Sequence, residues 1–197
     1  ICLMNKMLLL VVSVSLFYSC TQKTYKEPHI LIDTEYGDIE VELYPGKAPK
    51  TVAAFLSYIN SGIYDNSSFY RVLKNDNVPE EYNTGLIQGG INKTNYSKQS
   101  ELKGIEHESP KITGLSHVSG TISLARTKPG TASSEFFICI GDQKQFDSSA
   151  SSSYDGFGYA AFGKVIKGMS VVSKIQNKKS NGDMFNVPIK INRIKSL

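Results

Sequence analysis

In the stretch SSFYRVL, Ser67 to Leu73, a strand's period of two puts Phe69, Arg71 and Leu73 on one face and Tyr70 and Val72 on the other. A full positive charge therefore shares a face with two large apolar side chains. Either Arg71 is a snorkelling surface residue whose strand neighbours cover a core, or it is a fixed donor beside an apolar pocket. A guanidinium is always charged and offers several N–H groups in a rigid fork. In the second case its chemistry is hydrogen-bond donation rather than proton transfer.

Other chemistry has weaker support. Gly158, Gly163 and Lys164 have the spacing of a phosphate-binding loop, but Val165 stands where Ser or Thr would hold Mg²⁺. His29, His107 and His117 lack ligand-like spacing, and no GxSxG motif accompanies the serines. No metal or cofactor is called for. Cys139 lies in the apolar run FFICIG with no basic neighbour to lower its pKa, so it reads as a small buried hydrophobe.

The chain has 197 residues, 40% hydrophobic and 20% charged, the profile of a globular domain with its own core. Its formal charge of +4 is spread over scattered lysines and arginines, which argues against a nucleic-acid partner. Residues 1–19 carry Lys6 and an apolar run from Met7 to Phe17, too short to span a bilayer comfortably, and read as a secretion signal. Cys20 directly after it resembles the lipidated cysteine of bacterial lipoproteins, although Phe17 stands where that signal prefers Leu. Residues 20–28 then form the lipidated Cys and a short polar tether, and 29–197 a single domain. The resulting location is the bacterial cell envelope, facing the periplasm, with a lipid anchor through Cys20.

Within the domain, HILIDTEYGDIEVELYPG reads as a β-hairpin, two alternating runs around a Tyr-Gly-Asp turn. Val52, Phe55, Leu56 and Ile59 share one helix face, with Pro49 in the first turn and Gly62 at the exit. FYRVL, GLIQGG, GTISLAR, SEFFICIG, AAFGKVI and VPIKINRI are short and strand-like, and GMSVVSKIQ fits a second short helix. Many short strands, two helices and no βαβ alternation predict a mainly β fold, a barrel capped by helices. Residues 74–85 and the serine-rich 147–156 read as mobile loops.

FYRV, IQGG, GTISLARTKPGTASSEFFI and FGYAAFGKV, in this order, resemble the cyclophilin family of peptidyl-prolyl cis-trans isomerases in its bacterial exported form. The resemblance runs from about His29 to about Ile194. It implies a closed eight-stranded antiparallel β-barrel with an α-helix over each end. It also implies an outer groove that binds proline-containing polypeptides and accelerates Xaa-Pro isomerisation; the chain is expected to act as a monomer. A peptide bond resists rotation with a barrier of roughly 18–20 kcal/mol, and before proline it turns unaided in roughly tens to hundreds of seconds. Nothing is cleaved, so a donor aimed at the proline nitrogen or the carbonyls beside it is what helps. Shortening about 100 s to about 10 ms removes about 5.5 kcal/mol from the barrier.

By this resemblance Arg71 is the donor and Gln88 hydrogen-bonds the substrate backbone near it. Phe137 is the aromatic floor of the proline pocket. Ala125 and Arg126 belong to the segment whose backbone grips the residue before proline. Phe146 is an apolar wall, Tyr159 borders the pocket, and Phe69 and Leu86 complete the substrate-binding set. There are departures. Glu135 replaces the family's usual Gln; by alternation it shares a face with Phe137 and points into the groove, where Arg71 or Arg126 could pair with it. The spacing from Arg71 to Gln88 is longer than usual, and Gly85 and Leu86 fall where the family places an aromatic and a methionine. Tyr82 could swing in for the missing ring. A proline-peptide binding module or chaperone with little catalysis is the alternative on the same fold.

Overall fold

The computed structural model describes residues 25–148 and 155–197. The expected signal, the anchor at Cys20, most of the tether and the middle of the serine-rich loop lie outside the described residues. The strands are β1 (His29–Thr34), β2 (Gly37–Leu43), β3 (Ser67–Leu73), β4 (Gly85–Gly90), β5 (Thr121–Leu124), β6 (Phe136–Ile140), β7 (Ala160–Lys167), β8 (Ser180–Asn181) and β9 (Met184–Ser196). The helices are α1 (Pro49–Asn60), α2 (Tyr96–Glu101), α3 (Pro110–Thr113) and α4 (Met169–Gln176).

Strand order is β1-β2-β7-β5-β6-β4-β3-β9, and β9 pairs back onto β1, so eight antiparallel strands close into a barrel. Closure leaves the ring without a free edge. The two-residue β8 is a short appendage on β9. Alternation supplies the interior. Ile30, Ile32, Ile39, Val41, Leu43, Ile122, Ile138 and Ile191 all point inward and are buried. Helix α1 buries Val52, Phe55 and Ile59, the face expected from their spacing, and α4 buries Val172 and Ile175. Helices α2 and α3 are short additions that the sequence pattern did not indicate.

The opening alternation in β3 is corrected by a bulge. Phe69 pairs with Gly89 and Arg71 with Gln88, so Tyr70 is an extra residue with no partner in β4. On the other side the register also shifts, from Phe69 opposite Ile189 to Arg71 opposite Met184. Phe69 consequently faces the barrel interior, fully buried and edge-on to Phe136 at 5.7 Å. It does not line the groove as the resemblance implied. Arg71 faces outward. The structural benefit is that one strand can fill the core and still present a cation outside.

Phe136 sits at the centre of the interior. Its ring meets Phe55 at 5.5 Å, Tyr64 at 5.8 Å and Phe69, all near perpendicular. Phe136→Ala is expected to cost about 3–5 kcal/mol. A urea titration checks this, with the midpoint falling and the slope unchanged.

Candidate functional site

Outside the barrel, the faces of β3, β4 and β6 carry a second apolar cluster, separate from the core. Leu86, Phe137 and Cys139 are its buried members, with Leu73, Ala125, Phe146 and Tyr159 packed against them. Phe137, Phe146 and Tyr159 form a bowl, each ring 5.4–5.5 Å from the other two and steeply inclined to them. A groove of about 410 Å³ runs over this bowl, past Ala125 and Arg126 on one side and Arg71, Leu86 and Gln88 on the other. Every residue assigned to the groove from sequence except Phe69 lines it, Glu135 included.

Arg71 stands at the rim. Its Nη1 donates to Gln88 Oε1 at 3.1 Å, and its Nη2 donates to Asp183 Oδ2 at 3.0 Å. Asp183 belongs to the turn between β8 and β9, and its carbonyl accepts from the backbone N–H of Val72 at 2.8 Å. The β8–β9 hairpin therefore holds both the strand that carries the arginine and the arginine itself. Among the described residues, no group of three or more His, Cys, Asp or Glu side chains could hold a metal ion.

Glu135 pairs with neither arginine. It is 8% exposed and accepts from the Tyr70 hydroxyl at 2.7 Å, from Ser134 Oγ at 3.0 Å and from the backbone N–H groups of Ile91 and Asn92 at 2.9 and 3.1 Å. Burial pushes its carboxyl above the usual carboxylate range, against these donors. Burial, with the nearby carboxylate, also pushes the Tyr70 phenol far up, so that hydroxyl stays protonated. Gln88 Nε2 donates to the same hydroxyl at 3.0 Å.

Beneath the bowl lies a group that resembles a hydrolytic triad in its contacts. His117 Nδ1 is 2.7 Å from Asp147 Oδ1, and its Nε2 is 3.0 Å from Ser123 Oγ. His117 and Ser123 are fully buried, and the imidazole lies nearly parallel to Phe137 at 5.8 Å. A sealed serine meets no substrate, so the trio serves the floor rather than a hydrolysis. Cys139 is fully buried as well, and burial pushes its thiol far above its ordinary value, as expected of a packing residue.

The long segment between β3 and β4 does not reach the groove. The Asn75 N–H donates to Asn83 Oδ1 and Asn83 Nδ2 donates to the Asn75 carbonyl, both at 2.9 Å, which draws its ends together. Tyr82 is 71% exposed and turns toward α4, away from the bowl. Gly85 adopts φ 134°, and a Cβ there would collide with the carbonyl of Leu73. The backbone excludes any side chain at the position where the family has a ring, and Leu86, with Leu73 beside it, is the apolar wall on this side.

Arg126 has a side-chain role that its sequence position did not suggest. Its fork meets Asp155 at 2.6 and 2.9 Å, its Nε and Nη2 donate to the Gly158 carbonyl, and its guanidinium lies 5.0 Å from the centre of the Tyr159 ring. These contacts fasten the loop that carries Tyr159 to the pocket wall. The Arg126 hydrogen bonds pull the Asp155 carboxyl down to about 2. The ion pair is thus fully formed above the ordinary Asp pKa of 3.8 and is lost only as pH falls through the depressed value. Arg126→Ala is expected to raise KM for an Xaa-Pro peptide roughly five- to thirtyfold, with kcat changing less, as steady-state kinetics would read.

A family model, cyclophilin type peptidyl-prolyl cis-trans isomerase/CLD, matches residues 29–196. A peptidyl-prolyl cis-trans isomerase of Acinetobacter baylyi is 39% identical over 158 residues, covering 79% of this chain and 76% of that protein. Peptidyl-prolyl cis-trans isomerase B of Escherichia coli is 34% identical over 148 residues, 75% and 83% of the two chains. The crystal structure of a cyclophilin type isomerase from Cryptosporidium parvum superposes with a TM-score of 0.67 at 25% identity, covering 86% of this chain and 97% of that one. A second structure of that protein, solved in the presence of the dipeptide Ala-Pro, gives 0.65 at 26% identity. With its closed barrel and outer aromatic groove, the chain belongs to the cyclophilin family and is a peptidyl-prolyl cis-trans isomerase.

Proposed function

We propose that this isomerase acts on exported polypeptides as a lipid-anchored monomer in the bacterial cell envelope, and that Arg71 is its catalytic donor. The observation that carries the mechanism is the guanidinium held by Gln88 and Asp183 at the rim of an aromatic bowl. A proline ring in the bowl, over Phe137 and between Phe146 and Tyr159, brings its amide nitrogen toward Arg71. As the C–N bond turns out of plane, resonance is lost and the nitrogen lone pair becomes available. A preorganised N–H aimed there stabilises the twisted state more than the planar one, and only that difference accelerates the reaction. Gln88 and the backbone at Ala125 hold the flanking peptide so that the turn happens about one bond.

The envelope setting has a physical motive. Exported proteins fold without ATP, and proline isomerisation can be their slow step. The lysine-then-apolar start of the chain and Cys20 at its end support that location.

The experiment is isomerase activity on an Xaa-Pro peptide for the wild type and Arg71→Ala. The expected outcome is a wild-type rate well above background and a loss of roughly 10²–10³-fold in the variant. No acceleration by a folded wild type would leave a proline-peptide binding module. For the anchor, Cys20→Ala is expected to move the protein from the membrane fraction to the soluble fraction. A variant that stays with the membrane would remove lipidation from the proposal.

A further inference from the structure

Four side chains form one hydrogen-bonded chain from the rim of the groove to its buried edge. Arg71 Nη1 meets Gln88 Oε1, Gln88 Nε2 meets the Tyr70 oxygen, and Tyr70 meets Glu135 Oε2, at 3.1, 3.0 and 2.7 Å. We propose that Glu135 is a positioning residue for Arg71, and that it works by fixing, through Tyr70, which end of the Gln88 amide faces the guanidinium. The proposal rests on Arg71 being the catalytic donor.

Direction decides the matter. An ionised carboxylate can only accept. Glu135 Oε1 is taken by Ile91, Asn92 and Ser134, and Oε2 is left for Tyr70. Tyr70 has one proton and gives it to Glu135. Its oxygen can then only accept from Gln88, so the Gln88 NH₂ turns toward it and the Gln88 oxygen turns toward Arg71. The opposite amide orientation would set NH₂ against guanidinium, two donors facing each other, and would release Arg71 from β4. The bulge makes the chain possible, because it puts Tyr70 and Arg71 on the same outer side. Gly90 makes room for its end: a Cβ at that position would fall on the Glu135 carboxylate.

The family's usual glutamine at this position both donates and accepts, so beside Tyr70 it leaves the polarity of the chain open. The carboxylate removes that freedom. Glu135→Gln is isosteric, and with its oxygen kept on Ile91 and Asn92 it would present NH₂ to Tyr70. The tyrosine proton would then swing toward Gln88 and the amide would flip. Protonating Glu135 inverts the chain in the same way. The groups that act on this carboxyl are Tyr70 from β3, Ser134 beside it, the N–H groups of Ile91 and Asn92 after β4, and Tyr64, whose hydroxyl bonds the Ser134 carbonyl; Arg71 lies at the far end of the chain.

The test is kcat and KM, measured separately on an Xaa-Pro peptide with the purified full-length protein, for wild type, Glu135→Gln, Tyr70→Phe, their double variant and Arg71→Ala. Thermal unfolding of each is followed in parallel. Glu135→Gln is expected to lower kcat about tenfold with KM within about twofold, and to unfold no earlier than wild type, since a buried charge has gone. Tyr70→Phe loses less, and the double variant is no worse than Glu135→Gln, because both cut one chain. Wild-type kcat falls on the acid side, with a midpoint above the ordinary carboxylate pKa of ~4.3, and Glu135→Gln is flat there. A folded Glu135→Gln with wild-type kcat overturns the proposal, as does a loss confined to KM or one that follows a loss of stability. If Glu135→Gln does not fold, a normal kcat in Tyr70→Phe overturns it. An active Arg71→Ala overturns the donor role itself; an inactive one beside a normal Glu135→Gln overturns the relay alone.

Discussion

The extra residue at Tyr70 is the constraint on which the site depends. A regular strand would have to choose between burying Phe69 and exposing Arg71, since its two-residue period sends both the same way. One unpaired residue resets the period. Phe69 then joins Phe136 in the core, while Tyr70 and Arg71 both reach the outer face. Core packing and the position of the charge are settled by the same local distortion.

Around that distortion the chain builds two apolar clusters of different purpose. The inner one fills the barrel and is sealed at its ends by α1 and α4. The outer one is small and open, three inclined rings over a buried imidazole. A closed ring of strands is a stiff support, which suits a reaction that needs no lid, metal or leaving group. The proposed mechanism makes a geometric demand on the protein: a donor held in place beside an apolar seat for a five-membered ring. The required reduction of about 5.5 kcal/mol is within reach of preorganised charge combined with such a seat.

Much of this was legible along the chain. Helix α1 announced itself through Val52, Phe55 and Ile59, and the strands through runs such as AAFGKVI and KINRI. Helices α2 and α3 were not legible, because YSKQSE buries nothing and PKIT is a single turn; neither has a period to detect. The bulge was invisible for a related reason, since alternation can be counted in a sequence but an unpaired residue is defined only by its neighbour strand. That error sent Tyr70 to the wrong face and left Glu135 looking for an arginine. Asp183 and Asp155 lie 112 and 29 residues from the arginines they hold, and only the fold brings them together.

The hairpin between β8 and β9 has a temporal meaning. Asp183 and β9 follow every residue of the bowl in the sequence, and β9 is the strand that closes the barrel against β1. As the chain is synthesised, the bowl residues up to Tyr159 precede both the carboxylate partner of the guanidinium and one neighbour strand of β3. The groove therefore draws its last support from the hairpin that follows it in sequence, and the guanidinium is held on both sides only where that hairpin has folded onto β3.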